Sequence, residues 1–87
     1  MNYAYVWLES TLDELADIYV AASSEERKRM AAGVAGFNTQ ISKTPLEVGE
    51  SRPGAYRIAF PPLLCAYFYV DVDHRRVEVV HVEKYGK

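Results

Sequence analysis

Tyr56-Arg57-Ile58-Ala59-Phe60, Pro61-Pro62-Leu63, Leu64-Cys65-Ala66-Tyr67-Phe68-Tyr69-Val70, Asp71-Val72-Asp73-His74-Arg75-Arg76, Val77-Glu78-Val79-Val80-His81-Val82: this stretch decides the fold. The first block alternates in polarity and is broken by two prolines. The second is apolar and aromatic, as a buried or half-buried strand is. A polar turn follows, and then a β-branched strand. Three strands joined by such short connections are antiparallel neighbours, because parallel pairing needs a longer crossover. A meander of this kind needs a layer to cover its apolar face.

The preceding residues supply that layer. Asn2–Leu8 is aromatic and β-branched and reads as a first strand. Ser10 with Asp13 is close to a capping box, with Asp in place of Glu or Gln. Leu12, Leu15, Ala16, Tyr19 and Ala22 then fall on one helical face. Ser24 reads as the cap of a second helix, with Glu25 and Glu26 in its first turn. Met30, Val34, Phe37 and Ile41 form its apolar stripe, and Gly33 and Gly36 suggest close packing against the first helix. Thr44-Pro45 ends it, and Leu46–Gly54 reads as a loop. The expected fold is α+β: an N-terminal strand, a helical hairpin, and a three-stranded antiparallel meander with the helices on one face. One domain spanning 1–87 fits the length.

The lone Cys65 excludes an internal disulfide and suggests a reduced, cytoplasmic compartment. No apolar run reaches membrane-spanning length, so no membrane partner is expected. The net charge of -2 is uneven: residues 1–48 carry seven acids and four bases, and residues 49–87 five acids and six bases. The chain is not of the strongly basic type that holds nucleic acid by charge alone. There is no metal-ligand spacing, phosphate-binding glycine loop or catalytic triad, so no cofactor is expected.

On the third strand, Ala66, Phe68 and Val70 share one face; Cys65, Tyr67 and Tyr69 share the other. Ile58 and Phe60 join the core face in this reading. Arg57, Cys65, Tyr67 and Tyr69 are left on the uncovered one, with Arg57 opposite Tyr67. The parity of the last strand stays open between Val77, Val79 and His81 on one side and Val80 and Val82 on the other. Arg57 either grips a phosphate or an acidic peptide, or lies in cation–π contact with Tyr67. His81 has no carboxylate fixed beside it by sequence, so a structural role competes with acid–base chemistry. Cys65 reads as a buried, inert thiol. Lys84, Tyr85 and Lys87 follow the last strand, as binding groups or as a frayed tail.

Gly54-Ala55-Tyr56-Arg57-Ile58, the aromatic strand ending in Val70-Asp71, and the Arg75-x-Val77-x-Val79-x-x-Val82 pattern resemble the RelE/ParE toxin superfamily of bacterial type II toxin–antitoxin modules. In architecture the resemblance spans the chain; in residues it lies between Gly49 and Tyr85. It implies growth inhibition by one of two routes: ribosome-dependent mRNA cleavage (an mRNA interferase, hence an enzyme) or poisoning of DNA gyrase. It also implies a cognate antitoxin as partner. Arg57, Lys84 and Tyr85 are the catalytic candidates it implies. Arg52, Arg57, Tyr67, Tyr69 and His81 are the nucleic-acid or target-binding candidates. Ala59 and Cys65 fall where RelE-like nucleases carry a lysine and an arginine. The other reading is a catalytically degenerate protein-binding module of the same fold.

Overall fold

A computed structural model describes residues 2–86. Strand β1 (Ala4–Trp7) leads into helices α1 (Glu9–Ala21) and α2 (Ser24–Lys43). A 3-10 turn (Pro45–Glu47), a two-residue strand β2 (Glu50–Ser51), β3 (Tyr56–Ala59), β4 (Leu64–Asp71) and β5 (Arg76–Lys84) follow. The sheet order is β1-β5-β4-β3-β2. β1 runs parallel to β5 across the helical hairpin, and the other pairs are antiparallel. The expected α+β architecture is therefore present, with one strand more than the sequence suggests.

That extra strand, β2, lies inside the stretch expected to be a loop. Gly49 adopts a left-handed backbone (φ 66°) that turns the chain back onto β3. Glu50 then pairs with Ile58, and Ser51 with Arg57. The first strand is shorter than Asn2–Leu8. Leu8 donates its N–H to Val79 O, and Leu12 N–H bonds Leu8 O. The helix thus starts directly at Glu9 with Leu8 as an uncapped N-cap, and Ser10 and Asp13 make no capping box. Thr11, Leu15, Ile18, Tyr19 and Ala22 face the core, while Leu12 and Ala16 face solvent. The second cap is Ser23, one residue earlier than expected; its hydroxyl accepts from Glu26 N–H, and Glu26 accepts from Ser23 N–H.

The core lies between the hairpin and one sheet face. Met30, Phe37 and Ile41 of α2 meet Ala66, Phe68 and Val70 of β4 and Val77, Val79 and Val82 of β5, with Val34 at the margin. Trp7 stands edge-on to Phe37, and Phe37 edge-on to Phe68, with ring centroids 6.2 and 5.5 Å apart. Trp7 Nε1 donates to Asn38 Oδ1 at 2.9 Å. Gly33 does not serve contact with α1. A Cβ there would come within 2.5 Å of Pro62 Cδ, so the glycine admits the β3–β4 loop. Gly36 has open space above it.

Thr11 Oγ1 is fully buried and has no hydrogen-bond partner among the described residues. An unsatisfied hydroxyl costs about 1–3 kcal/mol, and valine has the same shape without that cost. Thr11→Val is expected to stabilise the fold by about 1 kcal/mol in urea unfolding. A loss of stability would show that the hydroxyl is satisfied.

Two register features set the side-chain faces. Arg57 pairs with Phe68, Ile58 with Tyr67, and Tyr56 with Tyr69. This is one residue away from the expected pairing, because the β3–β4 turn is tighter than Pro61-Pro62-Leu63: it closes on Pro62-Leu63 alone. Leu63 takes φ 66°, and Leu64 N–H bonds Pro61 O. A one-residue slip exchanges the faces of a strand. Arg57 and Ala59 therefore lie on the helix side, and Tyr56 and Ile58 on the open side. On β5, Phe68 pairs with Val79 but Tyr67 with His81, which leaves Val80 as the extra residue of a β-bulge. Both parities open in the sequence hold in turn: Val77 and Val79 are buried before the bulge, and Val82 after it.

Candidate functional site

The open face is built from β2 to β5. Tyr56 and Ile58 of β3, Cys65, Tyr67 and Tyr69 of β4, and Glu78, His81 and Glu83 of β5 share it by alternation. Tyr56 packs on Tyr69 at 5.3 Å, and Tyr67 on His81 at 5.5 Å. Arg52, just past β2, is fixed by its N–H to Tyr56 O. Together Arg52, Tyr56, Tyr67, Val80 and His81 line a groove of about 450 Å³. The bulge is what brings Val80 and His81 to it side by side.

His81 is held from two directions. Its Nδ1 lies 2.8 Å from Glu14 Oε2, and its Nε2 lies 3.2 Å from Glu83 Oε2. The second oxygen of Glu14 accepts Val82 N–H at 3.1 Å. β1 ends opposite Val79, so this stretch of β5 lacks a strand on that side, and the α1 carboxylate covers the gap. The sequence left His81 without a carboxylate; the fold supplies two. Hydrogen bonding to Glu83, and then to Glu14, holds the His81 pKa above its ordinary value against the opposing effect of partial burial.

A raised folded pKa means that the clamp contributes stability fully below the unfolded histidine pKa. That contribution is lost as pH rises through the folded value. Glu14→Gln is therefore expected to bring the His81 pKa down in an NMR titration and to weaken stability at mildly acidic pH more than at alkaline pH. An unchanged pKa would remove Glu14 from the clamp.

The remaining candidates are dispersed. Arg57 Nε donates to Val48 O at 2.9 Å and Arg57 Nη2 to Gly49 O at 3.1 Å, tying the turn before β2 to the sheet. It is neither opposite Tyr67 nor on the groove side. Lys84 pairs in register with Leu64 on the helix side and reaches Glu26 at 3.6 Å. Ser23 N–H, and then the Lys84 charge, hold the Glu26 carboxyl below its usual range. Tyr85 follows β5, bonds Leu63 O through its N–H, and stacks on Phe60 at 4.7 Å. Phe60 itself is exposed rather than in the core. Lys87 lies outside the described residues. Cys65 is 2% exposed, and burial, then the Glu83 charge, push its thiol pKa up, as befits an inert thiol.

Of the expected binding set, Arg52, Tyr67 and His81 converge on the groove, and Tyr69 supports it through Tyr56. Glu14, Tyr56 and Val80 belong to the site without having been singled out by sequence. The unresolved parity of Val79-Val80-His81-Val82 was the one available sign of a bulge. Nothing in the sequence pointed to Glu14, whose partner lies 67 positions away. Among the described residues no group of three or more His, Cys, Asp or Glu side chains is placed to hold a metal ion, and no helix is long and apolar enough to cross a membrane.

No protein-family model matches the chain, and no curated protein matches it. Solved structures do. A chain of the toxin–antitoxin complex RelBE2 from Mycobacterium tuberculosis superposes with a TM-score of 0.74 at 19% identity, covering 98% of this chain and 100% of that one. A chain of the archaeal RelE–RelB complex from Pyrococcus horikoshii superposes with a TM-score of 0.67 at 10% identity, covering 100% and 99%. The chain is similar to both over 98% or more of its length. It has the RelE fold.

Proposed function

We propose that this protein is the toxin of a type II toxin–antitoxin module, held inactive by a cognate antitoxin and arresting growth by gripping a protein target through the open-face groove. Likeness in fold to chains of two toxin–antitoxin complexes supports the class. The composition of the groove carries the mode. Tyr56, Tyr67 and Arg52 are the residue types that anchor protein interfaces. DNA gyrase is the target class that fits a toxin of this fold acting by binding.

Cleavage of mRNA is the second reading, and His81 with its Glu14 partner favours it as an acid–base pair. Charge argues the other way. In-line attack on a phosphate builds negative charge that positioned cations must offset. Arg57 and Lys84 are engaged on the helix side, and Ala59 and Cys65 carry no charge. His81 stands between two carboxylates, which repel a phosphate backbone. Arg52 is left as the one arginine lining the groove.

Induced expression should arrest growth, and co-expression of the neighbouring small reading frame should restore it and yield a co-purifying complex. Tyr67→Ala and Arg52→Ala should each relieve arrest at an unchanged protein level. Arrest that persists in both variants would move the target site off this groove.

A further inference from the structure

We infer that the outer face of α1 is a second docking surface, built for a partner protein that presents a helix with an apolar row bordered by lysines or arginines. The inference does not depend on the toxin reading, because this surface lies on α1 and shares no residue with the groove.

α1 has two apolar faces where its packing uses one. Thr11, Leu15, Ile18 and Tyr19 turn inward. Leu12, Ala16 and Val20 recur every fourth residue on the outside, where Leu12 is 50% and Val20 78% exposed. Single exposed apolar residues are ordinary, but a contiguous row along a helix is a partner-seeking feature. At 1.5 Å per residue the row extends about 12 Å, room for two turns of a facing helix.

The charges beside the row identify the occupant. Glu9, Asp13 and Asp17 form a parallel row, also at every fourth position, and all three are exposed. At 100° per residue the two rows abut on the helix surface. α1 contains no basic residue, and none of these three acids makes an ion pair among the described residues. The helix macrodipole accounts for Glu9 in the first turn; Asp13 and Asp17 lie beyond that turn. Arg27, which reaches the end of α1, is engaged there by the carbonyls of Tyr19 and Val20. The fourth acid, Glu14, points elsewhere, to His81 and Val82. The outer face thus offers an apolar ridge flanked by unanswered negative charge. An apolar helix row edged by Lys or Arg complements both features at once.

The test uses the full chain and three synthetic amphipathic peptides of about four helical turns. The first has a leucine row bordered by lysines, the second has glutamate in place of lysine, and the third scrambles the first. Binding is followed by NMR shifts of the α1 amides and by fluorescence anisotropy. The first peptide should bind at α1 at least about tenfold more tightly than the other two, with affinity falling as salt rises, as expected for several surface charge pairs. In the Asp13→Lys/Asp17→Lys double variant the preference should move to the glutamate peptide. Leu12→Ser/Val20→Ser should abolish binding while leaving the unfolding midpoint unchanged, since both side chains are outside the core. Equal binding of the scrambled peptide, shifts confined to other elements, or no binding of the first peptide at millimolar concentration would each overturn the inference.

Discussion

Replacing Phe68 with alanine is expected to lower the unfolding free energy by about 3–5 kcal/mol, the range for truncating a buried phenylalanine. The ring is fully buried at the centre of β4, between the hairpin and the sheet. It also ends the edge-to-face series Trp7–Phe37–Phe68. Truncation removes the ring's own burial and one of the two aromatic partners of Phe37, and the rigid layers on either side cannot close the void. Urea unfolding of the variant, with Tyr69→Ala as the control from the open face of the same strand, measures the difference. Tyr69→Ala should cost clearly less. Equal losses would mean that the two sheet faces are not distinguished as described.

The second large effect is expected at Gly49. Its backbone is left-handed, and a Cβ placed there would collide with the backbone carbonyl of Ile58. Gly49→Ala adds the strain of a non-glycine residue in that conformation to a clash that only strand separation relieves. We expect a loss of about 3 kcal/mol. The same turn presents Val48 O and Gly49 O to Arg57, so Arg57→Ala should reproduce part of the effect through a different atom set. Hydrogen exchange at β2 should accelerate in both variants. A Gly49→Ala protein with native stability and native β2 protection would contradict the turn geometry.

The fold was legible where one periodicity ruled an element. The stripe Met30, Val34, Phe37, Ile41 and the alternation of Ala66, Phe68 and Val70 each name a face, and the two faces meet. Legibility failed where a single residue of connection decides parity. The β3–β4 turn closes on two residues, Pro62-Leu63, one fewer than expected, and this moves Arg57 from the open face to the helix side. A bulge at Val80 does the same within β5, so His81 reaches the groove even though Val82 returns to the core. On α1, the chain's attachment to β5 through Leu8 rotates the helix, so that Thr11 replaces Leu12 in the core. The Glu14–His81 contact, made by distant residues and dependent on all of these offsets, was beyond reach.

The loss of Arg57 from the open face is also what separates the two functional readings. With Arg57 bound to the turn at Gly49 and Lys84 to Glu26, the groove holds interface-type residues and little positive charge. Mapping RNA 5′ ends transcriptome-wide after induction, beside a supercoiling assay of purified gyrase with the purified protein, addresses this directly. Growth arrest without codon-linked mRNA cleavage is expected, together with a loss of gyrase activity that Tyr67→Ala and Arg52→Ala abolish. Abundant ribosome-dependent cleavage by the native protein, with gyrase untouched, would contradict it.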